Sequence, residues 1–303
     1  MATQDDKLKY LDPKTLTKLS RLDIIARLVV EGFISGRHKS PYHGFSVEFH
    51  QHREYTIGDD LRHLDWKVLG KTDRFYLKEY EEETNLRCHI LLDVSESMAY
   101  AGNGTSKLEY GCYIAASLAY MLIQQQDAVG MYLFDNELKR QIPPKSSPGH
   151  LRLLLHELSN LVPKEKTDVG LLFHDVAERI SRRGMVVVIS DCFYDVDRII
   201  HGLQHFRHRG HDVLLFNLMD DDELKFPFQD MTLFEGLEQW GELLINPRSL
   251  KEAYLREVDE FTMALRKGCL NSNCDYVQID TKTHLDVALS AFMASREKRR
   301  CRK

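Results

Sequence analysis

Cysteine is scarce in this chain of 303 residues, and none of it is arranged for a shared task. The six cysteines form no Cys-x-x-Cys pair and show no Cys/His spacing of a zinc site. Cys88 and Cys112 lie in apolar stretches, which favours reduced residues of a core over disulfides. Because reduced cysteines are typical of cytosolic proteins, we expect a cytoplasmic location.

Long apolar runs are also missing. The longest, around Met185–Ile189 and Val213–Met219, are far shorter than the roughly 20 residues that a membrane-spanning helix needs. The first residues, Met1–Lys7, are polar and lead into no apolar signal-peptide core. We therefore expect neither secretion by that route nor a membrane span.

The chain has no excess of basic residues and no common catalytic signature. Its net charge of −5 and pI near 6.3 give no overall attraction to nucleic acid, so no nucleic-acid partner is expected. It contains no Gly-x-x-x-x-Gly-Lys-Ser/Thr loop, no Gly-x-Ser-x-Gly elbow and no His-Glu-x-x-His pair. These absences favour a protein that is not an enzyme.

What the chain does contain is a short apolar run that ends in small oxygen-bearing side chains. The run Cys88–Leu92 has the length and composition of a strand that is buried on both faces of a parallel sheet. Asp93, Ser95 and Ser97 follow it directly, where the sites of open α/β sheets are built. One carboxylate and two hydroxyls are hard donors that suit Mg²⁺, Ca²⁺ or Mn²⁺ better than zinc.

Two later segments add similar side chains at the same predicted edge. Asp191 follows Met185–Ile189, a second fully apolar strand, and Thr167 precedes an apolar helical stretch. The Asp-x-Ser-x-Ser pattern alone could equally be a helix-capping turn, and the two later segments shift the balance towards a site.

Together the five residues resemble the metal-ion-dependent adhesion site of the von Willebrand factor A fold. In that site an Asp-x-Ser-x-Ser loop, a threonine and an aspartate hold Mg²⁺. The resemblance implies a site with Mg²⁺, or else Mn²⁺ or Ca²⁺, and with one position open to an outside carboxylate. All five positions are matched here, by Asp93, Ser95, Ser97, Thr167 and Asp191.

A second resemblance covers nearly the whole chain from about Gly36. It rests on the strings Gly44-x-Ser46-x-Glu48-Phe49, Arg53-x-Tyr55-x-x-Gly58-Asp59-Asp60-x-Arg62, Asp65-Trp66 and Lys78-x-Tyr80. These strings are similar to an uncharacterised bacterial family whose genes accompany MoxR-type AAA+ ATPases. The family joins such an N-terminal segment to a von Willebrand A-like domain, here residues 1–84 and 85–303. The role of the Gly58-Asp59-Asp60 region stays open.

The rest of the chain alternates predicted strands and helices, which favours an α/β fold with a doubly wound, mostly parallel sheet. We predict a helix from Leu16 to Phe33, a small hairpin inserted near residues 232–248, and a surface loop at Asp220–Glu223. Because this loop follows a predicted strand, the alternative that it adds to the metal edge stays open.

Two functions remain in competition. The first is a non-catalytic binding module that engages a protein partner through the metal. By resemblance the partner is a MoxR-type AAA+ ATPase that supplies an Asp or Glu, in a chaperone-like role in complex assembly or metal-centre maturation. The alternative is a Mg²⁺-dependent phosphohydrolase or phosphotransferase with Asp93 as nucleophile. Haloacid-dehalogenase-like enzymes carry a second Asp two residues on, and Ser95 stands at that place.

Overall fold

A six-stranded sheet dominates the computed structural model, which describes residues 21–31, 49–54, 75–80, 86–102, 104–135, 137–161, 169–234 and 243–300. The strand order is β10-β7-β6-β3-β4-β5, with every neighbouring pair parallel except β4 and β5. The strands are β1 (Phe49–Glu54), β2 (Tyr76–Tyr80), β3 (Arg87–Asp93), β4 (Ala128–Phe134), β5 (Leu138–Lys145), β6 (Met185–Ser190), β7 (Asp212–Met219), β8 (Thr232–Phe234), β9 (Leu243–Ile245) and β10 (Asp275–Asp280).

Helices cover both faces of this sheet. They are α1 (residues 21–31), α2 (Lys107–Gln124), α3 (Pro148–Ser159), α4 (Val169–Arg179), α5 (Val196–His208), α6 (Asp221–Lys225), α7 (Pro247–Asn271) and α8 (Leu285–Arg300). One apolar core gathers residues of α1, α2, α3 and α8 on one face, and a second gathers residues of α4, α5 and α7 on the other. The predicted fold class, an α/β von Willebrand factor A-like domain with a doubly wound, mostly parallel sheet, is confirmed.

The central strands form where the sequence is apolar enough to be buried on both faces of the sheet. Every residue of β6 is buried, as is every residue of β3 except Arg87, since helices lie against both faces. Helix α2 packs between the sheet and neighbouring helices and is buried on nearly all sides. Buried strands are held in fixed register, so the residues that follow β3 and β6 are positioned together at one edge of the sheet.

Strand β5 is the antiparallel edge of the sheet and is chemically different from the rest. Its outer residues are largely exposed, and Pro143 and Pro144 lie near its end. Gly130 of β4 passes close to this strand, since a Cβ there would lie 3.0 Å from the Ile142 carbonyl oxygen.

Two small hairpins complete the described chain. Antiparallel β8 and β9 confirm the hairpin predicted near residues 232–248. Antiparallel β1 and β2 belong to a separate compact unit, residues 39–85, while residues 1–38 and 86–303 form the other. The predicted helix from Leu16 to Phe33 is helical over its described residues, 21–31. The Gly58-Asp59-Asp60 region lies outside the described residues.

Candidate metal centre

The carboxyl edge of the sheet brings the predicted acids together. Asp93 is the last residue of β3, and Asp191 follows β6 directly. Because β3 and β6 are parallel neighbours in register, both carboxylates emerge at the same edge. Ser95 and Ser97 follow in a short 3₁₀ turn, Glu96–Ala99, which begins beside Asp93.

The carboxylate of Asp93 is fully buried and held by three donors. The Ser95 amide donates to Oδ1 over 2.9 Å, while the hydroxyls of Ser190 and Tyr194 donate to Oδ2 over 2.6 and 3.2 Å. Burial, and then the charge of Asp191, raises the pKa of Asp93 to about 6. Ionised Asp93 therefore lies in a field that favours the arrival of a cation.

The two serine hydroxyls lie next to each other. Ser95 Oγ and Ser97 Oγ are 3.1 Å apart, and both residues are buried. Hydroxyl oxygens keep lone pairs when they share one hydrogen bond, so both remain able to bind a cation. The structure thus brings together four of the five predicted residues. Thr167 lies outside the described residues.

A buried lysine, which was not among the predicted site residues, lies against this group. Lys107 begins α2 and is 1% exposed, and its Nζ donates to Asp191 Oδ2 over 2.8 Å and to Glu223 Oε1 over 2.7 Å. Its Nζ also lies 4.6 Å from the centre of the Phe193 ring. Burial alone would lower the pKa of Lys107, but the charges of Asp191 and Glu223 outweigh it and raise that pKa. The ammonium is therefore a fixed positive charge inside the site.

Glu223 reaches Lys107 because the residues around it are helical. The predicted surface loop at Asp220–Glu223 is wrong: Asp220 caps α6, and Glu223 closes a capping box by accepting from the Asp220 amide over 2.8 Å. The acidic run has the composition of a solvated loop, whereas this reciprocal capping makes it a helix start. It places one acid of that run at the metal edge.

The donor set fits a hard divalent cation. Asp93 Oδ1 accepts one hydrogen bond, and Asp191 Oδ1 accepts only a long one, 3.4 Å from the Phe193 amide, so each carboxylate has an oxygen with lone pairs to spare. Among the described residues, no group of three or more His, Cys, Asp and Glu is arranged to hold a metal. A cation here would therefore depend on the serine hydroxyls as well as the two acids.

Sequence reasoning missed the residues that support this group rather than the group itself. Ser190 and Tyr194 flank Asp191 in the chain, and their hydroxyls could have been suspected from that position. Lys107 stands at the start of a buried helix, and a lysine among apolar residues signals a buried counter-charge. For Glu223 the signal was its place in an acidic run that follows a predicted strand, but its pairing with Lys107, 116 residues away, had none.

Comparison with known sequences finds relatives of this chain. The profile of the family described as "Protein of unknown function DUF58" matches residues 51–262. The uncharacterized protein Rv1480 of Mycobacterium tuberculosis is 22% identical over 219 residues, which cover 71% of this chain and 68% of that protein.

Two solved structures that are similar to this chain come from Bacteroides. Protein BatB of Bacteroides thetaiotaomicron matches with a TM-score of 0.49 and 15% identity, covering 70% of this chain and 99% of BatB. An aerotolerance-related membrane protein of Bacteroides fragilis matches with a TM-score of 0.47 and 19% identity, covering 70% of this chain and 99% of that chain.

The predicted cytoplasmic location is contradicted by the comparison with solved structures, since the similar protein of Bacteroides fragilis is described as a membrane protein. The prediction was wrong in its logic, because reduced cysteines and short apolar runs describe a domain and not where it works. Among the helices that the structure describes, none combines the length and apolar character needed to cross a bilayer.

Proposed function

We propose that this chain, which belongs to the family described as DUF58, is a non-catalytic binding module whose divalent-metal site engages a protein partner. One observation carries the proposal. Two fully buried carboxylates, Asp93 and Asp191, meet at the sheet edge beside two serine hydroxyls. Acids are rarely buried without compensation, and Lys107 alone cannot balance both together with Glu223.

The residues that would hold the metal are Asp93, Ser95, Ser97 and Asp191, with Thr167 added by resemblance. Oxygen donors of this kind suit Mg²⁺, with Mn²⁺ or Ca²⁺ as substitutes. When bound, the metal supplies a Lewis-acid position for a carboxylate from outside the chain. The protein's own part is to fix the donors, which the hydrogen bonds from Ser190 and Tyr194 to Asp93 do.

The partner is the second element of the proposal. By the resemblance of the N-terminal strings, it is a MoxR-type AAA+ ATPase that supplies an Asp or Glu to the metal. The joint role would be chaperone-like, in complex assembly or metal-centre maturation. An enzymatic role gains no support from the site, since Ser95 cannot replace a second carboxylic acid as proton donor.

Metal binding is tested first on the purified protein alone. We expect Mg²⁺ or Mn²⁺ to raise the unfolding temperature of the wild type, because a ligand that binds only the folded state stabilises it by about 2.7 kcal/mol at a hundredfold excess over its Kd. Asp93→Ala should abolish this rise, whereas Asp197→Ala, which removes an exposed acid of α5, should keep it. An equal rise in both variants would refute the site.

Partner binding is tested next, by titration of a MoxR-type ATPase from the same organism with Mg²⁺ and with EDTA. We expect binding that needs the metal and is lost in Asp93→Ala. Metal binding without metal-dependent partner binding would refute the adhesive role, and turnover of phosphate esters that depends on Asp93 would favour the phosphohydrolase alternative instead.

A further inference from the structure

A cavity of about 300 Å³ lies beside the candidate metal centre and shares Glu223 with it. Its volume is at the lower end of the range for ligand pockets and is enough for one long side chain. Its lining combines aromatic rings with acids, namely Tyr100, Phe226, Phe228, Tyr254, Asp222 and Glu223. This combination of rings and carboxylates is not used by the site described above.

The rings form one connected cluster. Phe226 and Tyr254 have ring centres 4.7 Å apart at 35°, and Phe226 and Phe228 have ring centres 5.2 Å apart at 78°. Burial, and then the charge of Glu223, raises the pKa of Tyr254 to about 12, so its ring is neutral. Neutral aromatic faces carry negative potential, which attracts cations and disfavours anions.

The carboxylates of the cavity have the same preference. None of the described residues that line it is basic. Lys225 and Lys282, which reach the same acidic run, both form their ion pairs with Asp221. Asp222 instead accepts from the Tyr100 hydroxyl over 3.5 Å, and so long a hydrogen bond does little to offset its charge.

Next to this cavity, the protein already holds one of its own cations between carboxylates and aromatic rings. The ammonium of Lys107 lies between the carboxylates of Asp191 and Glu223, with its Nζ 4.6 Å from the Phe193 ring centre and 5.9 Å from that of Tyr100. Tyr100 and Glu223 also line the cavity. Two of the groups that bind the internal lysine are therefore presented to the cavity as well.

We propose that this cavity binds a basic side chain, arginine or lysine, of a protein partner. An apolar side chain would bury the carboxylate of Asp222 with little compensation beyond the long hydrogen bond from Tyr100, and an acidic side chain would be repelled. The proposal rests on the proposed function in one respect: the same partner would place an acid at the metal and a base here. The recognised segment would then carry both charges a short distance apart.

The test uses two short peptides on the full chain, one with a central arginine and one with citrulline at that position. Citrulline has nearly the same shape without the charge. Binding is followed by NMR of labelled Tyr and Phe rings, in EDTA, so that the result does not depend on the metal. Peptide is added to about 10 mM, because one such contact binds with a Kd on the order of 1 mM.

We expect the arginine peptide to shift the ring resonances of Tyr254 and Phe228 saturably, and the citrulline peptide to bind about tenfold more weakly. Tyr254→Leu and Asp222→Asn should each weaken arginine binding, while Asp230→Asn, which removes an exposed acid outside the cavity, should not. Equal binding of both peptides, or no saturable shift of these rings, would overturn the proposal. Because no metal is present, failure here is distinct from failure of the metal site.

Discussion

The two ends of the parallel sheet differ in how far their buried acids are compensated by bases. At the amino end, Asp127 accepts from the Leu86 amide over 2.8 Å and pairs with Arg296 over 2.7 Å. One acid there meets one base. At the carboxyl end, the cluster contains three acids, Asp93, Asp191 and Glu223, and one base, Lys107, which pairs with Asp191 and Glu223. Within these two clusters, negative charge is therefore in excess at the carboxyl end.

This difference distinguishes a structural polar cluster from a candidate binding site. A balanced pair is complete without a ligand, and it fixes α8 against the loop before β4. An unbalanced cluster is stable only because surrounding contacts hold it, and a ligand of opposite charge improves it. We therefore expect a positively charged ligand to stabilise the protein at the carboxyl end of the sheet.

The largest change in the free energy of unfolding is expected when each base is removed in turn. Lys107→Met leaves Asp191 and Glu223 buried without this counter-charge and should lower the free energy of unfolding by about 3–5 kcal/mol. Arg296→Met should cost about 1–2 kcal/mol, because Asp127 keeps its bond from the Leu86 amide. Urea unfolding at pH 7 in EDTA measures both.

A second substitution and added metal should each restore part of the stability that Lys107→Met loses. Glu223→Gln in the Lys107→Met background should recover part of the loss, because one uncompensated charge is removed. Saturating Mg²⁺ should recover part as well, whereas it should do nothing for Arg296→Met. Equal losses in the two single variants would show that the ends of the sheet do not differ.

Acidification should move the two ends in opposite directions. Burial, and then His211 and Arg87, lowers the pKa of His89 near the amino end to about 4, so the folded state takes up this proton less readily than the unfolded chain. His89 therefore costs about 3 kcal/mol of stability as the pH falls from about 6.5 to 4. Asp93, with its raised pKa of about 6, takes up its proton more readily when folded. It adds about 3 kcal/mol as the pH falls from about 6 to 4.

Single variants separate these opposed contributions in metal-free protein. His89→Gln should become more stable between pH 6 and 4, relative to its own value at pH 7, because the Asp93 contribution remains. Asp93→Asn should instead lose stability over that range. Chemical unfolding at several pH values gives both curves, and parallel curves for the two variants would contradict the assignment.

The smallest prediction concerns a glycine at each end. A Cβ at Gly184 would collide with the Arg87 carbonyl oxygen, which is backbone of β3 and cannot retreat. A Cβ at Gly102 would meet the carboxylates of Asp220 and Asp222, which are side chains that can turn. We expect Gly184→Ala to cost about 2 kcal/mol and Gly102→Ala about 1 kcal/mol by thermal unfolding. The reverse order would show that the carboxyl edge is the more rigid one.

The parts that sequence predicted well are those with strong local patterns. The apolar runs that became β3 and β6 identified buried parallel strands, and those strands in turn positioned Asp93 and Asp191. The residues at strand ends follow from topology once the strands are known. The sequence pattern was therefore enough to predict that four of the five metal candidates lie together.

The remainder depends on contacts between distant segments. The run Asp220–Glu223 has the composition of a solvated loop, because its capping box needs the side-chain geometry of Asp220 and Glu223 to be recognised. The pairing of Lys107 with Glu223 joins α2 to α6 across 116 residues, and no local pattern encodes it. The aromatic cavity is invisible for the same reason, since Tyr100, Phe226 and Tyr254 come from three separate segments.

The antiparallel edge strand also limits how copies of this chain can associate. A neighbouring molecule that extends a sheet needs unpaired backbone amides along the free edge, and Pro143 and Pro144 of β5 have none. Because successive amides of a strand point to opposite sides, one of the two prolines removes a donor from the outer edge. Lys139 and Arg140 on the same strand are held in ion pairs, with Asp135 and Glu137 and with Glu157, so proline contributes more than charge to the protection of this edge. Strand pairing between copies of the chain is thereby disfavoured at the β5 edge of the sheet.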